Sequence, residues 1–215
     1  MSVVAPAVYV GTWRKYNGGS IAGRWFDLTS FDDERGFFEA CRELHQDEAD
    51  PELMFQDYEG FPGNMASECH INWAYVEGFR QARDEGCEEA YRLWVEDTGE
   101  TDFDKGAAIL QERYPNIKIL NVTAGADGSY SYSCGHRVFV PSFKLGGTIE
   151  TTGAGDTFCA SVLGFVLANG VENLTEGQLT EMLRFANAAA YLVTTKKGAI
   201  RSMPEKADVE AILAM

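Results

Sequence analysis

The sequence offers a membrane little to hold. No apolar run approaches the roughly 18 residues that a spanning helix needs, and the opening Met1-Ser2-Val3-Val4-Ala5-Pro6 has neither a basic flank nor a small-residue cleavage site. Histidine is scarce, and the five cysteines, Cys41, Cys69, Cys87, Cys134 and Cys159, are an odd number with no Cys-x-x-Cys pair. That spacing argues against a disulfide framework. Cys41 with His45, and the adjacent Cys69 and His70, come nearest to metal-ligand spacing; no second spaced pair joins them, so they read as ordinary side chains and no metal site is expected. Neither a GxxxxGK[ST] loop nor a GxGxxG after a strand is present, so two common nucleotide-binding designs are unsupported. The expectation is a soluble, cytoplasmic protein that engages no membrane.

Positive charge is the other shortage. Over 215 residues, 18 Lys and Arg face 33 Asp and Glu, a net charge of -15. Residues 1–105 hold 23 acidic and 9 basic side chains, whereas residues 106–215 hold 10 and 9. Such asymmetry marks segments with different partners. An acidic half repels nucleic acid directly, yet attracts proteins whose own surface is built to hold phosphates. Length and charge together predict two domains, 1–104 and 105–215: a small acidic α+β domain joined to an α/β half.

In the first domain the apolar run Val8 to Val10 and the run Arg24 to Leu28 flank Lys15-Tyr16-Asn17-Gly18-Gly19, where Asn-Gly is a turn signal, so a hairpin or strand pair is expected. Ser30, three residues ahead of Asp33, is expected to cap a helix carrying Phe37, Phe38, Cys41 and Leu44. Leu53 to Tyr58 reads as a strand. Ile71, Ala74, Tyr75, Val76, Phe79 and Ala82 form one apolar stripe at helical spacing. A further helix from Cys87 to Val95 is expected to turn Tyr91 and Leu93 inward.

The second domain alternates strand and helix. Ile117 to Val122 reads as a buried strand, Tyr130 to Tyr132 and Arg137 to Val140 as a hairpin across Cys134-Gly135, and Glu176 to Thr194 as an alanine-rich helix. Ser202 with Glu205 is expected to open the last helix. The most informative segment is Thr151-Thr152-Gly153-Ala154-Gly155-Asp156, which opens a nearly all-apolar helix ending at Asn169-Gly170. Two glycines let a backbone turn tightly and aim several N–H groups at one point at a helix start, which is a place for an anion. Asp156 stands beside that point. A carboxylate there would repel phosphate unless it served as the base for a hydroxyl attacking a phosphoryl group; alternatively, Asp156 merely caps a helix beside flexible glycines.

Four segments in order, Val122-Thr123-Ala124-Gly125-Ala126-Asp127-Gly128-Ser129-Tyr130, Glu150 to Phe158, Phe185-Ala186-Asn187-Ala188-Ala189-Ala190 and Lys197-Gly198-Ala199, resemble the C-terminal half of PfkB-type (ribokinase-like) carbohydrate kinases. The resemblance covers about residues 106–215 and implies a partial ribokinase-like fold. It implies an anion hole at Gly153, Ala154 and Gly155, Asp156 as catalytic base, Thr123, Gly125 and Gly128 along the ATP phosphates and ribose, and Asn187 and Gly198 near adenine. ATP with Mg2+ would be the donor, a sugar hydroxyl the acceptor, and a monovalent cation, K+, commonly sits beside the loop. This sequence has Glu150 where that family usually has Asp. The family's sugar-binding residues and its Asn-x-x-Glu element have no counterpart; Asn169 to Glu172 and Asn173 to Glu176 match the latter by spelling only, because they follow the loop. Impaired turnover is therefore expected, and an uncovered helix 156–168 would leave apolar surface exposed.

The first domain resembles something else. Val8 to Gly19, Gly23-Arg24-Trp25-Phe26-Asp27 and Gln56-Asp57-Tyr58-Glu59-Gly60-Phe61 are similar to the N-terminal part of ArdA-type antirestriction proteins over about residues 6–103. That family implies an acidic, dimeric mimic of DNA that occupies type I restriction-modification enzymes. Asp32 to Glu34, Asp47, Glu48, Asp50, Glu52, Asp84, Glu85, Glu88, Glu89 and the acids from Glu96 to Asp104 are the candidate phosphate mimics, against the alternative of a solvated face that aids solubility.

Overall fold

Val8 and Val10 point to one side of a strand whose other side carries Tyr9, and this alternation sets up the first core. In the computed structural model, which describes residues 3–215, that strand is β1 (Ala7–Thr12). The chain divides into two compact units, Met1–Gly106 and Ala107–Met215, each described by itself.

In the first unit Thr12 ends β1 and caps a short helix α1 (Trp13–Asn17) by accepting from the Lys15 amide. The strand β2 (Arg24–Asp27) then returns antiparallel, with Val8 opposite Phe26. The expected strand pair is present, but the Asn17-Gly18 hairpin turn is not: a helical turn fills the connection, with Trp13 packed edge-on against Tyr16. Asp33, not Ser30, caps α2 (Glu34–Leu44), accepting from the Gly36 amide at 2.8 Å, while the Ser30 hydroxyl is spent on the Asp27 carbonyl. On the far side of β1 lies β3 (Leu53–Glu59), where Gln56 is an extra residue between the Tyr9–Asp57 and Val10–Phe55 pairs. A two-strand clip, β4 (Ala66–Ser67) and β5 (His70–Ile71), leads into α3 (Trp73–Asp84), capped by Asn72. α4 (Glu88–Thr98) is stopped by left-handed Gly99, and α5 (Phe103–Arg113) follows, running through the division after Gly106.

Phe37 is fully buried and touches Phe26, Phe55 and Trp73, so α2 closes the core above the sheet with Val8, Val10 and Leu28. Tyr75, Phe79 and Val95 make a second cluster between α3 and α4. Leu93, expected inside, is exposed; the inward stripe of α4 runs through Tyr91, Trp94 and Val95 instead.

The second unit holds a three-stranded antiparallel sheet in the order β6 (Leu120–Thr123), β7 (Gly128–Ser133), β8 (His136–Pro141). β6 is an edge strand and only half-buried, against the expectation of a buried one. The β7–β8 hairpin turns at Cys134-Gly135, both with positive φ. Along β7, Ser129, Ser131 and Ser133 are fully buried, and small residues on that face let a helix lie close. That helix is α7 (Glu176–Thr194), started by a complete capping box between Thr175 and Gln178 and buried along Leu179, Met182, Leu183 and Ala186. Beside it lies α6 (Ala154–Asn169), packed through Phe158, Val162 and Phe165 and stopped at Gly170. Ser202 falls in a short turn, with its hydroxyl on the Lys197 carbonyl, and the last helix, α8 (Lys206–Leu213), is preceded by Glu205. The unit is a mixed α/β structure.

Candidate functional site

Gly153 begins the site. Its φ is +85°, a left-handed conformation that side chains disfavour, and it turns the chain into α6 without any capping side chain. The Ala154 amide donates to the Thr151 carbonyl at 3.1 Å, and the Thr157 amide and hydroxyl both donate to the Gly153 carbonyl, at 2.9 and 2.8 Å. The amides of Gly155 and Asp156 have no hydrogen-bond partner among the described residues. These are among the orphan donors of a helix start, and they carry the positive end of a 16-residue helix dipole. No neighbouring atom stands over Gly155. Asp156, in the same turn, is exposed.

Gly198 is brought to this loop. Its amide donates to Glu150 Oε2 at 3.1 Å, and the neighbouring Ala199 Cβ would lie 3.0 Å from any Cβ placed on Gly153. The Gly198 amide, then the Thr152 side chain, hold the Glu150 carboxyl below its ordinary range, with Lys197 adding attraction. The glycine loop and the Lys197-Gly198-Ala199 segment are thus one assembly, and Lys196 and Lys197 are exposed in it.

The remaining nominated residues form another group. Asn187 is 5% exposed; its amide Nδ2 donates to the carbonyls of Val140 at 2.9 Å and Pro141 at 3.4 Å, and its Oδ1 accepts from the Ser129 hydroxyl at 2.9 Å. Its polar atoms are thus committed to the seam between α7 and the sheet. Gly128 belongs to the same knot. It is buried at φ +135°, and a Cβ there would strike the Val140 carbonyl oxygen that Asn187 uses. Backbone approach explains that glycine without a nucleotide. Thr123 and Gly125, by contrast, are exposed at the end of β6 and in the turn after it. Ser129 is the residue that sequence reasoning missed, although the alternation Ser129-Tyr130-Ser131-Tyr132-Ser133 carried the signal of a small-residue face.

The Glu150 carboxylate, bonded to the Gly198 amide at 3.1 Å, is the acidic group at the glycine loop besides Asp156, and among the described residues no group of three or more His, Cys, Asp or Glu could hold a metal ion.

In the first unit most of the candidate phosphate mimics are exposed, but Glu48 is buried, bonded to the Thr12 hydroxyl at 2.7 Å, and Asp47 pairs with Lys15. Several others stand at helix starts: Asp33 and Glu34 on α2, Glu88 and Glu89 on α4, Asp104 on α5. There the helix dipole favours an acid for local reasons.

Two family descriptions match the chain, each over more than half of it. Residues 87–206 match the pfkB family carbohydrate kinase description, and residues 8–133 match the antirestriction protein (ArdA) description. Fructokinase-1 of Zea mays is 41% identical over 95 residues, which cover 44% of this chain and 29% of that protein. Fructokinase-1 of Oryza sativa subsp. japonica is 38% identical over 95 residues, again 44% and 29%. A solved structure of Arabidopsis thaliana ribokinase, complexed with ribose and ATP, is similar at 30% identity and a TM-score of 0.48, covering 58% of this chain and 39% of that one. The chain spans about a third of the length of the curated relatives it matches.

Proposed function

The chain belongs to the pfkB family of carbohydrate kinases through residues 87–206 and to the ArdA antirestriction family through residues 8–133, and on that premise we propose that its second unit binds the phosphates of ATP at the start of α6 and transfers the γ-phosphoryl group to a sugar hydroxyl, with Asp156 as base. The observation that carries this reading is the pair of unpartnered amides at Gly155 and Asp156, in the first turn of a helix that a left-handed Gly153 opens without a capping side chain. An anion is what such a helix end attracts.

The chemistry follows from position. The sugar hydroxyl gives its proton to the Asp156 carboxylate as its oxygen bonds to the γ-phosphorus. The bond from that phosphorus to the β–γ bridging oxygen breaks, and ADP leaves. Charge spreads over the three equatorial oxygens, where the Gly155 and Asp156 amides stabilise it. Mg2+ would arrive with the nucleotide. Thr123 and Gly125, both exposed in segment 122–130, are available to the remaining phosphates or ribose.

Orientation supplies much of phosphoryl-transfer catalysis, and the family's sugar-holding residues have no counterpart in this sequence. The expected behaviour is therefore ATP binding with slow turnover. ATP-dependent phosphorylation of a hexose panel, run on the native chain and on Asp156→Asn, tests it. Loss of a base costs about 100- to 10,000-fold. Equal rates in both proteins, or none in either, would remove Asp156 from the chemistry.

A second reading has its own observation, the net charge of -14 in residues 1–105. On it, the first unit is an acidic stand-in for DNA that inhibits type I restriction-modification enzymes. Capture of such an enzyme by the full chain, weakening steeply with salt, supports it; no capture at low salt ends it.

A further inference from the structure

We propose that Glu150 is a positioning residue whose carboxylate straps the 196–199 loop onto the glycine loop and thereby sets the place of Gly153 at the start of α6. The tie is made at both ends of the residue. On the main chain, the Ile149 and Glu150 amides donate to the Thr194 carbonyl at 2.8 and 3.2 Å, which anchors the approach to the glycine loop on the end of α7. On the side chain, Oε2 accepts from the Gly198 amide at 3.1 Å, a bond that spans 48 positions of sequence. Between these anchors Gly153 lies against Ala199, so closely that a Cβ would sit 3.0 Å from the alanine methyl and 3.2 Å from its Cα.

An amide donating to a carboxylate is a charge-assisted bond, stronger than its neutral equivalent. Gly198, at φ +96°, aims its amide out of a turn that glycine adopts without strain. The Thr152 side chain and the Lys197 charge also favour the ionised carboxyl, which lies below its ordinary range. At neutral pH the carboxylate is charged and the strap is closed. A shift of the 196–199 loop would remove the surface on which Gly153 rests, and with it the orientation of the two free amides that follow. That last consequence rests on the phosphate reading given above; the strap itself does not.

Amide NMR of the full chain at neutral pH, well above its isoelectric point near 4.5, tests the strap in native protein, Glu150→Gln and Glu150→Ala. Gly177, in the first turn of α7, serves as the internal control. In the native chain the Gly198 amide proton is expected downfield and slow to exchange. Glu150→Gln, which keeps a neutral acceptor, should move it upfield in part. Glu150→Ala should move it fully and speed its exchange roughly tenfold, the value of one ordinary hydrogen bond. Gly153 should shift with Gly198 in both variants while Gly177 stays. An unmoved Gly198 refutes the strap, and a Gly177 that shifts as much as Gly153 means a general loosening. An unmoved Gly153 means that Glu150 positions nothing. ATP titration is a separate arm: several-fold weaker binding by Glu150→Gln is expected. Native-like affinity in that variant overturns the positioning role, and failure of the native chain to bind ATP overturns the phosphate reading while the amide shifts still decide the strap.

Discussion

Asn187→Ala separates the two meanings that an amide at that position could have. In the structure Asn187 joins three partners inside the second unit, the Ser129 hydroxyl and the carbonyls of Val140 and Pro141. Truncation leaves the fully buried Ser129 hydroxyl without its acceptor and the Val140 carbonyl without its side-chain donor. Each buried polar group stranded in this way costs about 1 to 3 kcal/mol, so the change should cost about 3 kcal/mol. That is a large share of the roughly 5–15 kcal/mol available to a domain. With a urea slope of about 2 kcal/mol per molar for a unit of this size, the unfolding midpoint should fall by about 1.5 M. Far-UV ellipticity reads it, because α6 and α7 are long helices. A nucleotide contact would behave otherwise: ATP affinity would drop while the midpoint stayed put. That outcome would refute the structural assignment and return Asn187 to the binding site.

Phe37→Ala should cost the first unit about 3–5 kcal/mol and shift tryptophan emission to the red, since Trp73 stacks on that ring at 6.0 Å; unchanged emission and midpoint would mean that α2 does not close this core. Leu167→Lys, at a side chain 88% exposed, should leave stability within about 0.5 kcal/mol and raise solubility, whereas a large loss would show that α6 buries that face. Burial first, and then the Lys15 ammonium, depress the pKa of His45, against the pull of the Val10 carbonyl, Glu48 and Asp47. A base depressed in the folded state binds its proton more readily when unfolded, so stability is present above the ordinary histidine value near 6.5 and is lost as pH falls below it. Urea midpoints by tryptophan emission should decline between about pH 7.5 and 5.5 in native protein and stay flatter in His45→Gln; equal slopes would remove His45 as the cause.

Helices with one dominant stripe were legible in the sequence. Tyr75, Val76, Phe79 and Ala82 placed α3, and the alanine run together with the bounds Glu176 and Thr194 placed α7. Competing local bonds were not. Asp27 and Asp33 both lie near Ser30, and which oxygen caps α2 depends on Ser30 having been drawn to the Asp27 carbonyl first. Asn17-Gly18 carries the spelling of a tight turn, yet Thr12 supplies a cap that lets the helix α1 form ahead of it. Edge position is equally invisible: Ile117 to Val122 has the composition of a buried strand, but β6 has a partner on one side only. At the site, the sequence indicated the loop and Asp156. It did not indicate that Gly128 and Asn187 answer to the Val140 carbonyl, because that is a contact between elements far apart in the chain.

An acid in the first helical turn is common in this molecule, occurring on α2, α4, α5, α6, α7 and α8, and the helix dipole accounts for all of them alike. Asp156 is therefore not informative by its presence. The informative feature is what the start of α6 omits. α2 and α7 spend their start amides on the side chains of Asp33 and Thr175. α4 and α8 also lack a side-chain cap, but α4 places Glu88 and Glu89 at its first two positions and α8 has Glu205 at its cap position, so a carboxylate of their own stands where an anion would bind. α6 instead has Ala154 and Gly155 at those positions, behind a glycine in the left-handed conformation, and its acid waits until the third. A helix end kept clear of both cap and charge, with its carboxylate set one step aside, is the arrangement that an incoming phosphate and its attacking hydroxyl would require.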